Sequence, residues 1–505
     1  MTARIRVLAA LLGALLHASP GLAQATIGGD WRADVARFAQ SVIDAGLAPG
    51  MGVAVSQDDR VLYTGGFGVA DAASGRGVGE DTAFYMASST KALTATAVTL
   101  LAERGEIDLA APVTRYLPDL AFGAPLAADS VTIERLLTMT HGIEDGGPVV
   151  VRTAYSGDFT AGLLIDLLAG YGPAEDGRAF NYGNLGYNIL GMVLAPGTEH
   201  GWKDVVRREV LEPLGMASTT ARVSELDPDR IALPHNVVPG EGFRRISLGK
   251  TDANLHAAGG HFTTAGDLAR FVAAHASGGR LEGERAFPAA PIAATHERRV
   301  PQARSFGPYR RVAWGYGWDI AEWEGKTIVQ RFGSFAGYRS HMSFEPVSGV
   351  GVVVLVNGGG PASPATDLVA SYVYDRMLGR ADLEAEYARR RAELEAEAEA
   401  DGAELAAHLA ERRARLAPLP HPLEAYAGDY ESPRVGRIEW RVVAGGLEAR
   451  MGVVQTRAEV FDAAANRLRI EIGGGVVAEF EFPPGGGPAG AVTMAGERFE
   501  RVGEP

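Results

Sequence analysis

Cysteine is absent from the 505-residue chain. That lack excludes disulfides, thiolate metal sites, a cysteine nucleophile and lipid anchors on cysteine. Lysine is scarce. Of 48 basic residues only Lys91, Lys203, Lys250 and Lys326 are lysines, and the rest are arginines, which do not give up their proton. Positive charge is in deficit, with 62 acidic residues against those 48 and a formal charge of −14. Such a chain repels phosphate backbones and anionic lipid, so neither nucleic acid nor a membrane surface is an expected partner. Long apolar runs are missing beyond the first 25 residues.

What is there is core-forming material, 46% hydrophobic and 22% charged, enough for two or three domains at roughly 150 residues each. Residues 1–25 read as a secretory signal. Arg4 and Arg6 precede an apolar run over 7–18, and a small-residue site follows at Gly21-Leu22-Ala23 or Ala23-Gln24-Ala25. The competing reading is a membrane anchor, but the run is shorter than the roughly 20 residues a spanning helix needs. The mature protein is therefore expected in the periplasm or outside the cell, without a membrane span.

Residues 26–378 read as one domain. Apolar stretches at 51–55 and 61–67 flank Gln57-Asp58-Asp59 as a hairpin, and strand text returns at 327–331, 339–344 and 350–356. Helical text lies between, at 133–140, 163–168 and 185–194. Strands at both ends with helices between predict an α+β domain whose sheet pairs the two ends of the sequence. Residues 379–417, rich in Ala, Glu, Arg and Leu, predict one interrupted helix or a hairpin of two. We read this stretch as a charged connector, with an oligomerisation element as the alternative. Residues 418–505 predict a small antiparallel β-barrel or sandwich with strands at 438–443, 447–451, 467–472, 476–482 and 498–502.

The chemistry concentrates at Met86-Ala87-Ser88-Ser89-Thr90-Lys91, followed by an uncharged stretch over 92–102 that predicts a helix buried on all sides. A helix beginning near Ser88 puts Lys91 one turn on, on the same face. Burial lowers a lysine pKa, so a neutral amine there could take the serine proton. Free N–H groups at the helix start could help bind an oxyanion. Spacing alone is weak evidence, since Ser247-Leu248-Gly249-Lys250 repeats it without a buried helix. Two further elements accompany it: Phe180-Asn181-Tyr182-Gly183-Asn184 before an apolar helix, and Gln330-Arg331-Phe332-Gly333-Ser334 on a strand. Gly333 would let a substrate approach the strand backbone closely.

Together these elements resemble the serine β-lactamase and penicillin-binding-protein superfamily, in its class C-like and esterase-like branch. Supporting text includes Val131-Thr132-Ile133-Glu134-Arg135-Leu136-Leu137-Thr138-Met139-Thr140-His141-Gly142, Ala258-Gly259-Gly260-His261 and Trp314-Gly315-Tyr316-Gly317-Trp318. The resemblance implies an antiparallel sheet flanked by helices, with an all-helical subdomain. It implies Ser88 as the acylated nucleophile, Lys91 as its proton acceptor and Tyr182 as the group sharing proton transfer. Asn184 would hydrogen-bond Lys91 or the substrate amide, and the N–H groups of Ser88 and Ser334 would form the oxyanion hole. The family usually carries Lys-Thr-Gly or His-x-Gly where this chain has Arg331-Phe332-Gly333. Arg331 keeps a positive charge and could fork onto a substrate carboxylate, but cannot shuttle a proton. Its alternative is a strand arginine turned to solvent.

Other signals are set aside. The Gly-Lys-Thr triplets at Gly249 and Gly325 lack the earlier glycine of a phosphate loop, and no Gly-x-Ser-x-Gly or His-Glu-x-x-His occurs. His256 and His261 read as local hydrogen bonders or wall residues. The expectation is an exported serine hydrolase, free of metal and cofactor, acting through an acyl-enzyme on a small-molecule or peptide amide or ester. Within the fold the alternative is a β-lactamase or D,D-carboxypeptidase. Outside it stands a non-catalytic binding protein.

Overall fold

Nine strands build the main sheet: β1 (Gly50–Gln57), β2 (Arg60–Asp71), β3 (Arg76–Gly77), β4 (Val300–Phe306), β5 (Tyr309–Trp314), β6 (Asp319–Trp323), β7 (Lys326–Phe335), β8 (Tyr338–Phe344) and β9 (Val350–Val356). They lie in the order β4-β5-β6-β7-β8-β9-β1-β2-β3. The structure, a computed structural model, describes residues 30–503 except 145, 199, 239–241, 416–417 and 473, and except the side chain at 413. The expected signal at 1–25 lies outside the described residues. Strands β1 and β9 pair antiparallel, with Met51 opposite Val356 and Gln57 opposite Val350, so the two ends of the domain do meet. Both strands are buried on both faces, which is why they read as apolar runs rather than alternating ones.

The helices of this domain include α1 (Trp31–Asp44), α2 (Thr90–Glu103), α3 (Ile133–Leu137), α4 (Ala161–Leu168), α5 (Leu185–Leu194), α6 (Ala265–Ala276) and α7 (Ala362–Met377). One face holds α1 and α7 against Met51, Val53, Val55, Val352 and Val354. The other presents Ala54, Val353 and Leu355 to α6 and the helical subdomain. The alternation follows from the two-residue period of a strand. Helix α3 stops short of the expected 140, and Met139 beyond it takes a left-handed φ of 56°.

Residues 383–414 form one uninterrupted helix, α8 (Leu383–Ala414), rather than the interrupted helix or hairpin expected. Pairs one turn apart, Arg389–Glu393, Arg390–Glu386 and Arg391–Glu395, support its first half. Its first half is not a solvated connector: Leu383, Tyr387, Leu394 and Ala398 are buried in the α1/α7 core. Tyr387 also donates to Asp375 Oδ2 at 2.7 Å. The far end, near Leu405 and Leu409, lines a cleft of about 920 Å³ between the first domain and the C-terminal one.

The C-terminal domain is a nearly closed barrel of nine strands, where five were expected: β10 (Gly428–Ser432), β11 (Gly436–Val443), β12 (Gly446–Met451), β13 (Val454–Arg457), β14 (Glu459–Asp462), β15 (Arg467–Glu471), β16 (Gly475–Glu481), β17 (Ala491–Met494) and β18 (Glu497–Val502). The four missed strands, β10, β13, β14 and β17, have four or five residues each, too few to display a period. Tyr430, Ile438, Trp440, Ile470 and Phe480 fill the interior. The Glu471 N–H donates to Thr456 Oγ1 at 3.1 Å and draws the ends of the sheet together. The barrel docks on residues 151–156. There the Arg152 guanidinium donates to Arg434 O at 2.8 Å, and the Val453 N–H donates to Ser156 O at 2.9 Å. Among the described residues no helix is long and apolar enough to cross a membrane.

Candidate active site

Ser88 lies in a single 3-10 turn, Ala87–Ser89, which leads into α2 at Thr90. In that geometry residues three apart eclipse, and Lys91 Nζ stands 3.1 Å from Ser88 Oγ. The helix itself starts two residues later than expected. It is buried from Thr90 to Leu101, since none of those residues except Lys91 carries a charge that demands water. Helix α2 ends at Glu103, and Gly105 beyond it takes a left-handed conformation at φ 74°. Ser88 is partly exposed while Ala87, Ser89, Thr90 and Lys91 are buried, so of these side chains the Ser88 hydroxyl is the one that reaches the surface. The preceding Ala87 has φ 46°, a conformation that costs a non-glycine residue roughly 1–3 kcal/mol. That strain is the local cost of presenting Ser88.

Three oxygens hold the Lys91 ammonium: Asn184 Oδ1 at 2.7 Å, Ala258 O at 2.8 Å and Ser88 Oγ. Asn184 occupies the N-cap position of α5, yet its side chain makes no capping bond. An N-cap bond is worth about 1 kcal/mol. Here that bond is forgone and the amide oxygen turns to Lys91. Burial pulls the Lys91 pKa down to about 8. The Tyr182 hydroxyl works against that fall, and Arg331 adds to it.

Tyr182 sits in the loop before α5, tied down by the Asn181 N–H donating to Met139 O at 3.0 Å. Its ring meets Trp314 edge-on, 5.9 Å between centroids. Burial pushes its hydroxyl pKa up, but Arg331, Lys91 and a bond with Ser88 outweigh burial and hold it below the ordinary tyrosine value.

Arg331 does not turn to solvent. It is buried in β7, and its Nη1 lies 2.6 Å from Asp319 Oδ2 with both side chains at 0% exposure. Its Nε donates to the Ser88 carbonyl at 3.2 Å and its Nη2 to the Tyr182 hydroxyl. A guanidinium engaged on three sides by the protein has little left to fork onto a substrate carboxylate, which corrects that expectation. Gly333 is corrected as well. A Cβ there would lie 2.0 Å from Met86 O and 2.6 Å from Ser340 Oγ. The missing side chain admits the turn that carries Ser88, not a substrate. Ser340 braces the same turn, donating to Met86 O and pairing with Ser89 Oγ, both at 2.8 Å. Ser334 is exposed at the end of β7, opposite Arg339.

Sequence reasoning missed Asp319 and the Ala258 carbonyl as neighbours of this cluster. Asp319 directly follows the Trp314–Trp318 stretch but stands alone, with no motif to mark it. Lys250 does not face Ser247; it donates to the Ala154 and Asn254 carbonyls and lies 3.6 Å from the centre of the Phe335 ring. His256 bonds Asn188 at 2.9 Å, and buried His261 has a pKa pushed by burial to about 3, in keeping with wall residues. Among the described residues no group of three or more metal-ligating side chains converges.

The family model described as Beta-lactamase matches residues 36–372, a span that contains the whole cluster. The chain is 30% identical over 325 residues to "Penicillin-binding protein 4" of Amycolatopsis lactamdurans, covering 63% of this chain and 84% of that protein. It is 35% identical over 200 residues to "Esterase EstB" of Burkholderia gladioli, covering 36% of this chain and 49% of the esterase. The octameric penicillin-binding protein homologue from Pyrococcus abyssi shares the fold with a TM-score of 0.58 at 20% identity, over 92% of this chain and 99% of that one.

Proposed function

The chain belongs to the beta-lactamase family, and from that premise we propose that it is a serine hydrolase of the class C-like, esterase-like branch, acting through an acyl-enzyme at Ser88 on an amide or ester substrate. The observation that carries this reading is the Lys91 ammonium, buried 3.1 Å from Ser88 Oγ among neutral oxygens. Once the Lys91–Tyr182 pair has lost one proton to solvent, Ser88 Oγ attacks the substrate carbonyl and its own proton passes to that pair. The N–H groups of Ser88 and Ser334 take the oxyanion. The proton returns through Tyr182 to the leaving amine or alcohol, and a water then releases the acyl group by the same route in reverse. Lys91 Nζ lies 5.2 Å from the centre of the Tyr182 ring, and each group shifts the pKa of the other, so the two are treated as one titrating pair.

The substrate is a peptide or small-molecule amide or ester. A β-lactamase or D,D-carboxypeptidase is the second reading, favoured by the similarity to a penicillin-binding protein over 325 residues. One experiment separates them. The protein is treated with a fluorophosphonate and, in parallel, with a labelled penicillin, and adducts are located by mass spectrometry. Label on Ser88 from the first probe, lost in Ser88→Ala, is the expected result. Label from penicillin as well favours the second reading. A folded protein that takes neither label overturns both and leaves a binding protein that kept the fold.

Export to the periplasm or beyond, after cleavage of residues 1–25, is part of the proposal, and the mature N-terminus from a secreting host tests it. Self-association through residues 379–417 is the other part. The Pyrococcus abyssi neighbour is described as octameric, and Leu405 on α8 is exposed. Sedimentation of the wild type against Leu405→Glu tests it, with a drop in mass expected.

A further inference from the structure

The residue at which this chain departs from its family, Arg331, is also the one that ties the cluster together. A guanidinium presents five N–H donors in one rigid plane. Here that plane is pinned at three points on three separate elements: Asp319 at the start of β6, the Ser88 carbonyl in the turn before α2, and the Tyr182 hydroxyl in the loop before α5. The charge lies 4.9 Å from the centre of the Tyr182 ring and 5.2 Å from Trp314. Of the three pins only Asp319 carries a full opposite charge.

We propose that Asp319 is a positioning residue for the reaction: it fixes Arg331 so that a permanent cation faces the Tyr182 hydroxyl and braces the backbone of Ser88 at the same time. The proposal rests on the acyl-enzyme reading above. In relatives with Lys-Thr-Gly or His-x-Gly the group at this place has its proton at its own disposal. An arginine has none to give, so its use here lies in where its charge is held. A flexible four-carbon arm needs an anchor for that, and the buried Asp319 carboxylate supplies it.

The surroundings make the two roles open to Asp319 predict opposite signs. Facing this group are Lys91 from α2, Tyr187 from α5, Arg304 from β4 and Arg311 from β5. The last two have nitrogens 3.7 and 3.9 Å from Asp319 Oδ1. Gln302 on β4 donates to the same oxygen at 2.9 Å. Among these described side chains Asp319 is the one carboxylate. As a bare charge it raises the pKa of Tyr182, so deleting it would ease loss of the hydroxyl proton. As an anchor for Arg331 it does the reverse, because a released guanidinium leaves Tyr182 without its nearest cation.

The test is the pH dependence of the rate at which a fluorophosphonate labels Ser88, with the final label counted to give the active fraction. In Asp319→Asn the acid limb is expected to move to higher pH by about one unit, a fall of about tenfold in rate below the limb. A limb that moves down marks a mere charge effect, and an unmoved limb with fewer active molecules marks a merely structural role. Either result overturns the proposal. Asp319→Glu keeps the buried charge but displaces it by one methylene, and holds the question open should the amide variant not fold. A raised limb supports anchoring, and an unmoved one overturns it. A wild type that takes no label at Ser88 overturns the acyl-enzyme reading and this proposal with it. A labelled wild type with an unresponsive Asp319→Asn overturns the proposal alone.

Discussion

The amide oxygen of Asn184 lies 2.7 Å from the Lys91 ammonium, closer than the 3.1 Å between that ammonium and Ser88 Oγ. The amide stabilises the charged lysine, while burial disfavours it. Asn184→Ala is therefore expected to lower the lysine pKa and to shift the acid limb of Ser88 labelling to lower pH. Asn184→Asp, which sets a carboxylate beside the ammonium, should shift it upward. Two limbs that move in the same direction would refute the contact as a control on Lys91.

Lys91→Arg is expected to abolish turnover. Arginine cannot become neutral, and general base catalysis contributes on the order of 10²–10⁴-fold. Measured on whichever ester or amide the wild type hydrolyses, near-normal kcat in this variant would remove Lys91 as a proton acceptor.

Stability carries its own signature of Lys91. The pKa falls from 10.5 in the open chain to about 8 when folded, because burial penalises the ammonium. Between those two values the unfolded chain binds the extra proton, so folding gains stability as pH rises through the window. Lys91→Met has no such ionisation. Its stability relative to wild type should therefore decline from pH 8 to 10.5, by on the order of 3 kcal/mol at most. Denaturant titrations of both proteins at several pH values check the sign, and a gap that stays constant would contradict the burial argument.

Gly333→Ala drives a methyl group into Met86 O and must displace the turn bearing Ser88. Overpacking of this kind costs about 1–3 kcal/mol, so a lower melting temperature and slower Ser88 labelling are expected together. Gly249→Ala, where a Cβ would meet nothing within 4 Å, is the control and should change neither. Equal behaviour of the two variants would show that the close approach at Gly333 does not matter.

Much of the architecture was legible because it depends on pattern. The run 350–356 reads as a strand buried on both faces, and the uncharged stretch after Lys91 reads as a buried helix. The barrel was legible only in part. Ala491–Met494 and Glu459–Asp462 have four residues each, and their strand character comes from pairing rather than from their own sequence. Helix α8 was misread as interrupted or folded back: Asp401 and Gly402 are weak helix formers, yet the helix runs through them to Ala414.

The sequence by itself determined that Ser88 and Lys91 share one helical turn, because the uncharged stretch after them forms a buried helix, which Ser247 and Lys250 lack. It determined too that the sheet closes with strands from both ends of the first domain. Only the tertiary structure decided what Arg331 does. Read along the chain it could reach for substrate or for solvent. In space it is buried against Asp319, Ser88 and Tyr182, residues 12, 243 and 149 positions away. A long side chain takes its role from whichever charge and hydroxyl fold against it, and no local period records that.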